Sequence, residues 1–465
     1  MSDTFDLVVI GGGPAGLAGA ALAAELGLSV ALLDEQPEPG GQIYRAVERA
    51  ETEGRAAALG EDYRRGLQLI HGFRSSSAVH FPGYQVWQVE RDGRIYASDG
   101  TASRMLREER VLIAVGAMER PVPIPGWTLP GVMTVGAAQI LHKSTGMLPG
   151  EGVWIAGSGP LALHYAAEVV AAGGRIAGIL DTARKANRWA ALAHWQGALQ
   201  GWKYLRQGLQ YLSRLRKAGI RRIVDVDAVE AIGRDRLERV RWRVGDTWQD
   251  APASTLLLHE GVVPNVHMTL AIGCAHDWDS MQRCFRPRVD TFGATDIENI
   301  QVAGDCGGIG GARVAELQGR IAAVGAAAAL GQLESAERDR RCAALRSEMS
   351  EHECIRKFLD VLFAPRPALL APADDVVACR CEHVTAARIR EAVSLGCLGP
   401  NQVKSFTRCG MGPCQGRLCG LTVTGTIAAA RGVSPEAVGT FRVRPPLKPL
   451  RLGEFAALAN EKAAP

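Results

Sequence analysis

Aromatic residues make up only 6% of this 465-residue chain, and no apolar run reaches 18 residues before a glycine turn or a charge interrupts it. The lack of a long apolar run excludes a membrane-spanning helix. A dominant charge is missing too: 53 Lys and Arg against 49 Asp and Glu leave a formal net charge of +4. No chain-wide field recruits nucleic acid or an anionic membrane, so nucleic acid is not expected as a partner. The start, MSDTFDLVVI, carries acids where a signal peptide would carry bases, and a cytoplasmic location is expected. Neither C-x-x-C nor H-x-x-x-H occurs. The first absence argues against dithiol exchange, and the second against a histidine-pair metal helix.

What is abundant is glycine, 54 residues, in a chain that is 47% hydrophobic. That combination reads as an α/β protein with many tight strand-to-helix turns, and the length calls for two to four domains. Cysteine is unevenly placed. Five of the eleven are scattered, while six fall between Cys379 and Cys419. Such crowding reads as metal or cluster ligation rather than as a disulfide framework.

The strand expected at Phe5–Ile10 runs into Gly11-Gly12-Gly13-Pro14-Ala15-Gly16, followed by a helix over Leu17–Leu26. This is G-x-G-x-x-G between a strand and a helix, the context a dinucleotide fingerprint requires. Gly11 allows the sharp turn, Gly13 lets the backbone approach a pyrophosphate, and Gly16 permits close helix–strand packing. The free N–H groups at the helix start then face the phosphates. A second strand, Ser29–Leu33, ends at Asp34 and Glu35, where a carboxylate accepts from ribose hydroxyls.

A second fingerprint lies about 146 residues further on: a strand at Gly152–Ala156, then Gly157-Ser158-Gly159-Pro160-Leu161-Ala162, and a strand ending at Asp181. An acid there favours a free ribose over a 2′-phosphate, hence NAD over NADP, although Arg184 and Lys185 lie close by. Whether NAD, another adenine nucleotide or nothing occupies this site is left open by the motif.

In the cysteine zone, Cys379-Arg380-Cys381 precedes a helical stretch and then TRCGMGPCQGRLCG. A C-x-C pair plus a distant C-x4-C pair supplies four thiolates from two loops, enough for two bridged irons, and four thiolates also suit zinc. Two C-x4-C choices exist, Cys409/Cys414 and Cys414/Cys419. Cys397, in a SLGCLGP turn, reads as a packed thiol.

Several segments resemble known families. Pro39-Gly40-Gly41-Gln42, Val111–Glu119 (including Gly116) and Asn299–Asp305 (including Gly304) resemble the flavin-side motifs of two-dinucleotide-domain flavoproteins. That likeness implies FAD at the first fingerprint, with Asp305 accepting from the ribityl chain. The text GMGPCQGRLC resembles the bacterioferritin-associated-ferredoxin-like domain, which implies a 2Fe–2S cluster on Cys379, Cys381, Cys414 and Cys419, with Cys409 as an extra thiol. Together with ERPVPIPGWTLPGVMTVGAAQ, HEGVVPN and the RVRPPLKP arm, nearly the whole chain resembles the large (α) subunit of two-component FAD-dependent amine dehydrogenases. That family includes opine oxidase, proline and D-hydroxyproline dehydrogenases and hydrogen cyanide synthase.

The resemblance implies an α/β fold of two nested Rossmann-like domains plus a small helical 2Fe–2S domain. An FAD-binding domain is expected at 1–120 and 290–335, and a second dinucleotide domain at 121–289. A helical connector and linker follow at 336–375, then the cluster domain at 376–431 and an extended arm at 432–465. It also implies a partner, a D-amino-acid-oxidase-like β subunit with its own FAD and the substrate pocket. It allows FMN at a subunit interface, a further small subunit, and a peripheral membrane link through the electron acceptor. No catalytic residue is expected in this chain. His259 beside Glu260 is the most noteworthy histidine, read as lying in the strand that returns to the FAD domain. The tryptophans near Arg188–Lys203 and Arg241–Gln249 read as core and subunit contacts. The competing function is a self-sufficient NAD(P)H:acceptor reductase using both fingerprints.

Overall fold

The computed structural model describes residues 4–461, so the first three residues of the expected FAD segment and the last four of the expected arm lie outside it. Two five-stranded parallel sheets dominate. The first has the order Ile300–Val302, Arg110–Ile113, Leu7–Ile10, Val30–Asp34, Val79–Pro82. The second has the order Arg222–Ile223, Gly178–Asp181, Val153–Ser158, Thr255–Glu260, Val132–Thr134. Their central strands are short, wholly buried apolar runs such as Leu7-Val8-Val9-Ile10, as a parallel sheet covered on both faces requires. All of the second sheet falls between two strands of the first. The chain leaves and re-enters through Ala117–Glu119 and Val262–Pro264, which pair antiparallel. His259 therefore sits in the second sheet itself, and the returning strand begins only after it.

The last strand of the first sheet, Ile300–Val302, comes 189 residues after its neighbour Arg110–Ile113, and one helix–helix contact closes it on the domain. Pro14–Glu25 and Ala312–Ala329 face each other with alanine and glycine. A Cβ added at Gly319 would overlap the Ala15 carbonyl, and one at Gly19 would lie 3.0 Å from the Gly319 carbonyl oxygen. Only hydrogen-sized side chains allow these backbones to touch.

After Ala329 the connector forms two helices, Ser335–Glu353 and Arg356–Leu362. The cysteine-bearing region folds around Ala386–Ser394, Pro400–Thr407 and Gly420–Arg431, with a core that includes Val403, Val423 and Ile427. Cys397 is buried in that core. The arm differs from the extended expectation. It does run without regular structure past Val443, but it ends in a helix, Leu452–Glu461. The LGEFAALANE stretch has good helix formers and no proline, whereas the prolines that suggest extension stop at Pro449. The arm packs on its own chain. Val443 and Leu447 are buried in the core of the first domain, the Leu447 N–H donates to the Trp87 carbonyl (2.8 Å), and Ser98 Oγ donates to Glu454 Oε2 (2.6 Å).

Gly319→Ala is expected to lower stability by about 1–3 kcal/mol, since the added carbon forces the helices apart. Gly208→Ala, in a helix with nothing within 4 Å, should be neutral or stabilising by about 0.5–1 kcal/mol. Denaturant midpoints of the two variants check this, and equal midpoints would contradict the close helix contact.

Candidate functional site

The first fingerprint is a turn with almost no spare room. Gly11 has φ +108°, and a Cβ there would lie 2.6 Å from the Ala114 carbonyl oxygen of the neighbouring strand. A Cβ at Gly16 would overlap the Gly11 carbonyl, and one at Gly12 would overlap the Asp34 carboxylate. Asp34 is therefore held directly across the turn. It is buried; Oδ1 accepts from the Gln36 N–H (3.0 Å), while Oδ2 has no hydrogen-bond partner among the described residues. Burial pushes its pKa up. A buried, half-satisfied carboxylate facing a glycine turn fits a ribose diol, which would donate to the free oxygen. Glu35 points elsewhere and pairs with Lys448 of the C-terminal arm.

The other first-domain candidates gather on this turn. The Gly40 N–H donates to the Gly12 carbonyl (2.7 Å), and a Cβ on Gly41 would lie 2.8 Å from Gly13 Cα, so the loop carrying the exposed Gln42 rests on the fingerprint. Gly304 abuts Ala15, the residue after Pro14 in the first helical turn. Asp305 Oδ1 accepts from the Gly310 and Gly311 N–H groups (2.9 and 3.0 Å), which ties down the loop that starts the Ala312–Ala329 helix. At Gly116 a Cβ would meet nothing within 4 Å.

The second fingerprint has the same letters and a different environment. A Cβ on Gly157 would overlap the His259 backbone, and one on Gly159 would lie 3.0 Å from His259 Nε2. The ring of His259, only 2% exposed, fills the inner side of this loop, where Nδ1 donates to Glu119 Oε1 (2.7 Å). Glu119 Oε2 in turn accepts from the Gly136 N–H (2.7 Å). Asp181 is committed on both oxygens. Oδ1 accepts from the Ala183 N–H (2.9 Å), and Oδ2 holds the Arg222 guanidinium. Glu260 uses Oε1 for both Thr182 Oγ1 (2.8 Å) and Arg366 from the linker (3.0 Å), and its buried Oε2 has no partner among the described residues.

Sequence reasoning missed the brace between the domains. Lys143, buried on the helix Val135–Thr145, donates to the Ile43 carbonyl (2.9 Å), one residue from Gln42. Burial pushes its ammonium down to about 8. Beside it Gln139 donates to Glu168 (2.8 Å), and Arg55 donates to the Lys143 carbonyl (3.1 Å). Gln139 and Lys143 at i, i+4 on an otherwise mixed helix were the one signal available.

Among the cysteines, the Sγ atoms of Cys379, Cys409 and Cys419 lie within 4.8 Å of one another, all buried. Cys381 and Cys414 form an adjoining hydrogen-bonded pair. Cys409, set aside by the family likeness, thus touches two members of the expected ligand set. Hydrogen bonds from Cys409 and Cys419 hold the Cys379 thiol down at about 2, and the same bonds push Cys419 and Cys409 up. Three converging buried sulfurs, with the half-buried Cys381–Cys414 pair beside them, fit a thiophilic metal or cluster. A Cβ on Gly412 would overlap Cys381, so the CGMGPC loop lies directly on the C-x-C strand.

This cysteine loop is also tied to the first domain. The Asn265 N–H donates to the Gly116 carbonyl (3.0 Å), and His267 Nε2 donates to the Gln415 carbonyl (3.1 Å), next to Cys414. Gly116, Asn265, His267 and Gln415 so form a continuous bridge from the flavin-type motif to the sulfurs. A small cavity of about 70 Å³ beside it is lined by Met118, Asn265, His267, Arg417 and Phe441, among others.

Comparison with known proteins places this geometry. The pyridine nucleotide-disulphide oxidoreductase family profile matches residues 5–329, and the sarcosine oxidase A3 domain profile matches residues 378–459. An opine oxidase subunit from Rhizobium meliloti (strain 1021) is 44% identical, covering 98% of this chain and 99% of the relative. The hydrogen cyanide synthase subunit HcnB of Pseudomonas aeruginosa is 32% identical, covering 98% and 99%. The crystal structure of L-proline dehydrogenase from P. horikoshii superposes with a TM-score of 0.71 at 18% identity, over 97% of this chain and 79% of that one. The shared architecture is the mixed α/β fold of flavoprotein oxidoreductases.

Glu119→Ala, which strands His259 without its acceptor in a buried site, should cost about 2–3 kcal/mol of stability. Denaturant unfolding checks the value, and an unchanged midpoint would mean that the pair carries no structural weight.

Proposed function

This chain belongs to the pyridine nucleotide-disulphide oxidoreductase family and is a flavin-dependent oxidoreductase, and we propose that it is the FAD- and 2Fe–2S-carrying subunit of a heteromeric dehydrogenase. In this reading a partner chain of the D-amino-acid-oxidase type oxidises an amine or imino acid of the opine, D-hydroxyproline or proline class. This chain receives the electrons and hands them to an acceptor. FMN at the subunit interface and a further small subunit complete the assembly the reading allows. The names of the relatives, subunits of opine oxidase and hydrogen cyanide synthase, support a multi-subunit enzyme.

The observation that carries the reading is the contrast between the two fingerprints, together with the bridge to the cysteines. At the first, Asp34 keeps a buried oxygen free for a ribose hydroxyl, Gly13 and Gly41 leave the backbone bare, and Asp305 braces the helix that follows. At the second, Arg222 already neutralises Asp181, so the acid that would select a nicotinamide nucleotide is engaged on both oxygens. His267 and Asn265 hold the Cys414 loop against the Gly116 turn, which ties the cysteine loop to the flavin-type motif. When bound, a flavin takes up an electron pair and a 2Fe–2S centre passes electrons singly, so the pair converts two-electron oxidation into one-electron transfer. The ligand set proposed is Cys379, Cys381, Cys414 and Cys419, with Cys409 as a fifth, hydrogen-bonding sulfur.

An anaerobic absorbance spectrum of the chain, taken before and after NADH, tests the function. The expected result is a flavin-plus-cluster spectrum that NADH leaves unbleached. Fast bleaching would establish a working nicotinamide site and replace the relay with an NADH:acceptor reductase. Iron and acid-labile sulfide analysis tests the ligands. Cys414→Ser should lose both while retaining FAD, and Cys409→Ser should keep iron near the wild-type level. The reverse pattern would exchange Cys409 into the ligand set.

A further inference from the structure

The second domain carries a helical insertion whose outer surface has no counterpart in the core. Lys185–Ala191, the 3-10 turn Leu192–His194 and Trp195–Gln200 follow one another without a break, and Trp202–Lys217 follows them. Their large apolar side chains face out: Trp189 is 67% exposed, Leu192 52%, Trp195 57%, Leu199 65%, Trp202 56% and Leu209 66%. The positions recur at intervals of three, four or seven, so each helix presents them as one stripe.

This is not a core face that has lost its cover, because the insertion has an inner face of its own. Ala191 and Ala198 are buried, and a Cβ on Gly201 would lie 2.6 Å from Ile355 of the connector. Leu215 is buried in the core of the second domain. Small residues and one leucine thus point inward, while the tryptophans point outward.

The charge pattern says what covers the stripe. From Thr182 to Val224 the chain has ten Lys and Arg and neither Asp nor Glu. Arg188 and Arg222 reach Asp225 and Asp181, which lie just outside the stretch. The other eight have no carboxylate within salt-bridge distance among the described residues. They include Lys185, Lys203 and Arg206 beside the stripe, and the Arg206 guanidinium lies 5.7 Å from the Trp202 ring centre.

We propose that this insertion docks the protein onto an anionic phospholipid surface, its tryptophans and leucines entering the headgroup boundary while the basic residues meet lipid phosphates. Exposed Trp and Leu on one side, Lys and Arg flanking them, and no acid across the stretch are the chemistry of an interfacial helix. Tryptophan also prefers the headgroup boundary because its ring is apolar and its N–H is polar. Aromatic side chains are enriched on protein-binding faces as well, so it is the run of bases without an acid that points to a phosphate-bearing lipid surface. The inference stands apart from the electron-relay reading, because it rests on the insertion alone.

Sedimentation of the full chain, with its co-purifying subunits, tests it on vesicles of phosphatidylcholine containing phosphatidylglycerol and on vesicles of phosphatidylcholine alone. The wild type should pellet with the anionic vesicles and roughly tenfold less with the neutral ones, and added salt should release it. A triple variant, Trp189→Ser with Trp195→Ser and Trp202→Ser, should lose most of that binding, and Lys203→Glu with Arg206→Glu should lose the preference for the anionic lipid. All five side chains are exposed, so unchanged thermal unfolding and flavin content are expected and show that the fold is intact. Wild type that stays in the supernatant with both vesicles overturns the proposal. So does a triple variant that binds as before, or one that sheds a co-purifying subunit when the wild type binds no vesicles. The last result would make the stripe a protein interface.

Discussion

The backbone contact between Ala15 and Gly319 is the constraint on which the rest of the structure depends. It brings a helix from the end of the oxidoreductase region against the first helix of the chain and closes the first sheet with a strand from Ile300–Val302. Everything between them, including the whole second sheet, is an insertion that leaves and returns through one antiparallel pair of short strands. The same closure sets Gly304 against Ala15 and places Asp305 beside the fingerprint turn. Helices that approach this closely need alanine and glycine at the contact, here Ala15, Gly19 and Gly319. Aliphatic side chains on the other faces supply the burial that holds the contact shut.

The two fingerprints show how little a motif determines without its surroundings. Both place a strand, a glycine turn, a helix and an acid at matched positions. The difference lies in what reaches the acid from elsewhere in the chain. Asp34 is buried with one oxygen unpartnered, whereas Asp181 accepts the Arg222 guanidinium from the next strand of its own sheet. His259 fills the space beside Gly159, held by Glu119 from the crossing strand. A carboxylate that is already neutralised is a poor acceptor for a ribose diol, because the incoming hydroxyl must compete with a charge-assisted bond. One fold thus presents one open and one occupied version of the same loop.

Averages conceal charge in the same way. A net charge of +4 over 465 residues describes only the mean of the chain. Folding concentrates ten bases and six exposed apolar side chains in one insertion, so the local field differs from the mean. Cysteine behaves likewise. Spacing separates Cys379, Cys381, Cys414 and Cys419 from Cys409, yet the loop geometry sets the Cys409 sulfur against two of them.

The strand–turn–helix units, the two acids that end their second strands, the helical connector, the cysteine zone and the nested order of the two sheets were legible in the sequence. The nested order rests on the family resemblance and the others on local signals, since short apolar runs, glycine spacing and proline breaks act over a few residues and do not need the fold. The C-terminal helix was obscured by the prolines before it. Only the tertiary structure decided which of two adjacent acids faces the turn, that Asp181 is spent on an arginine, that Lys143 braces the loop beside Gln42, and that the Cys409 sulfur joins those of Cys379 and Cys419. The first three depend on partners 413, 41 and 100 residues away and the sulfurs on two separate loops, and the hydrogen bonds and burial that settle them exist only once the chain has brought those partners into contact.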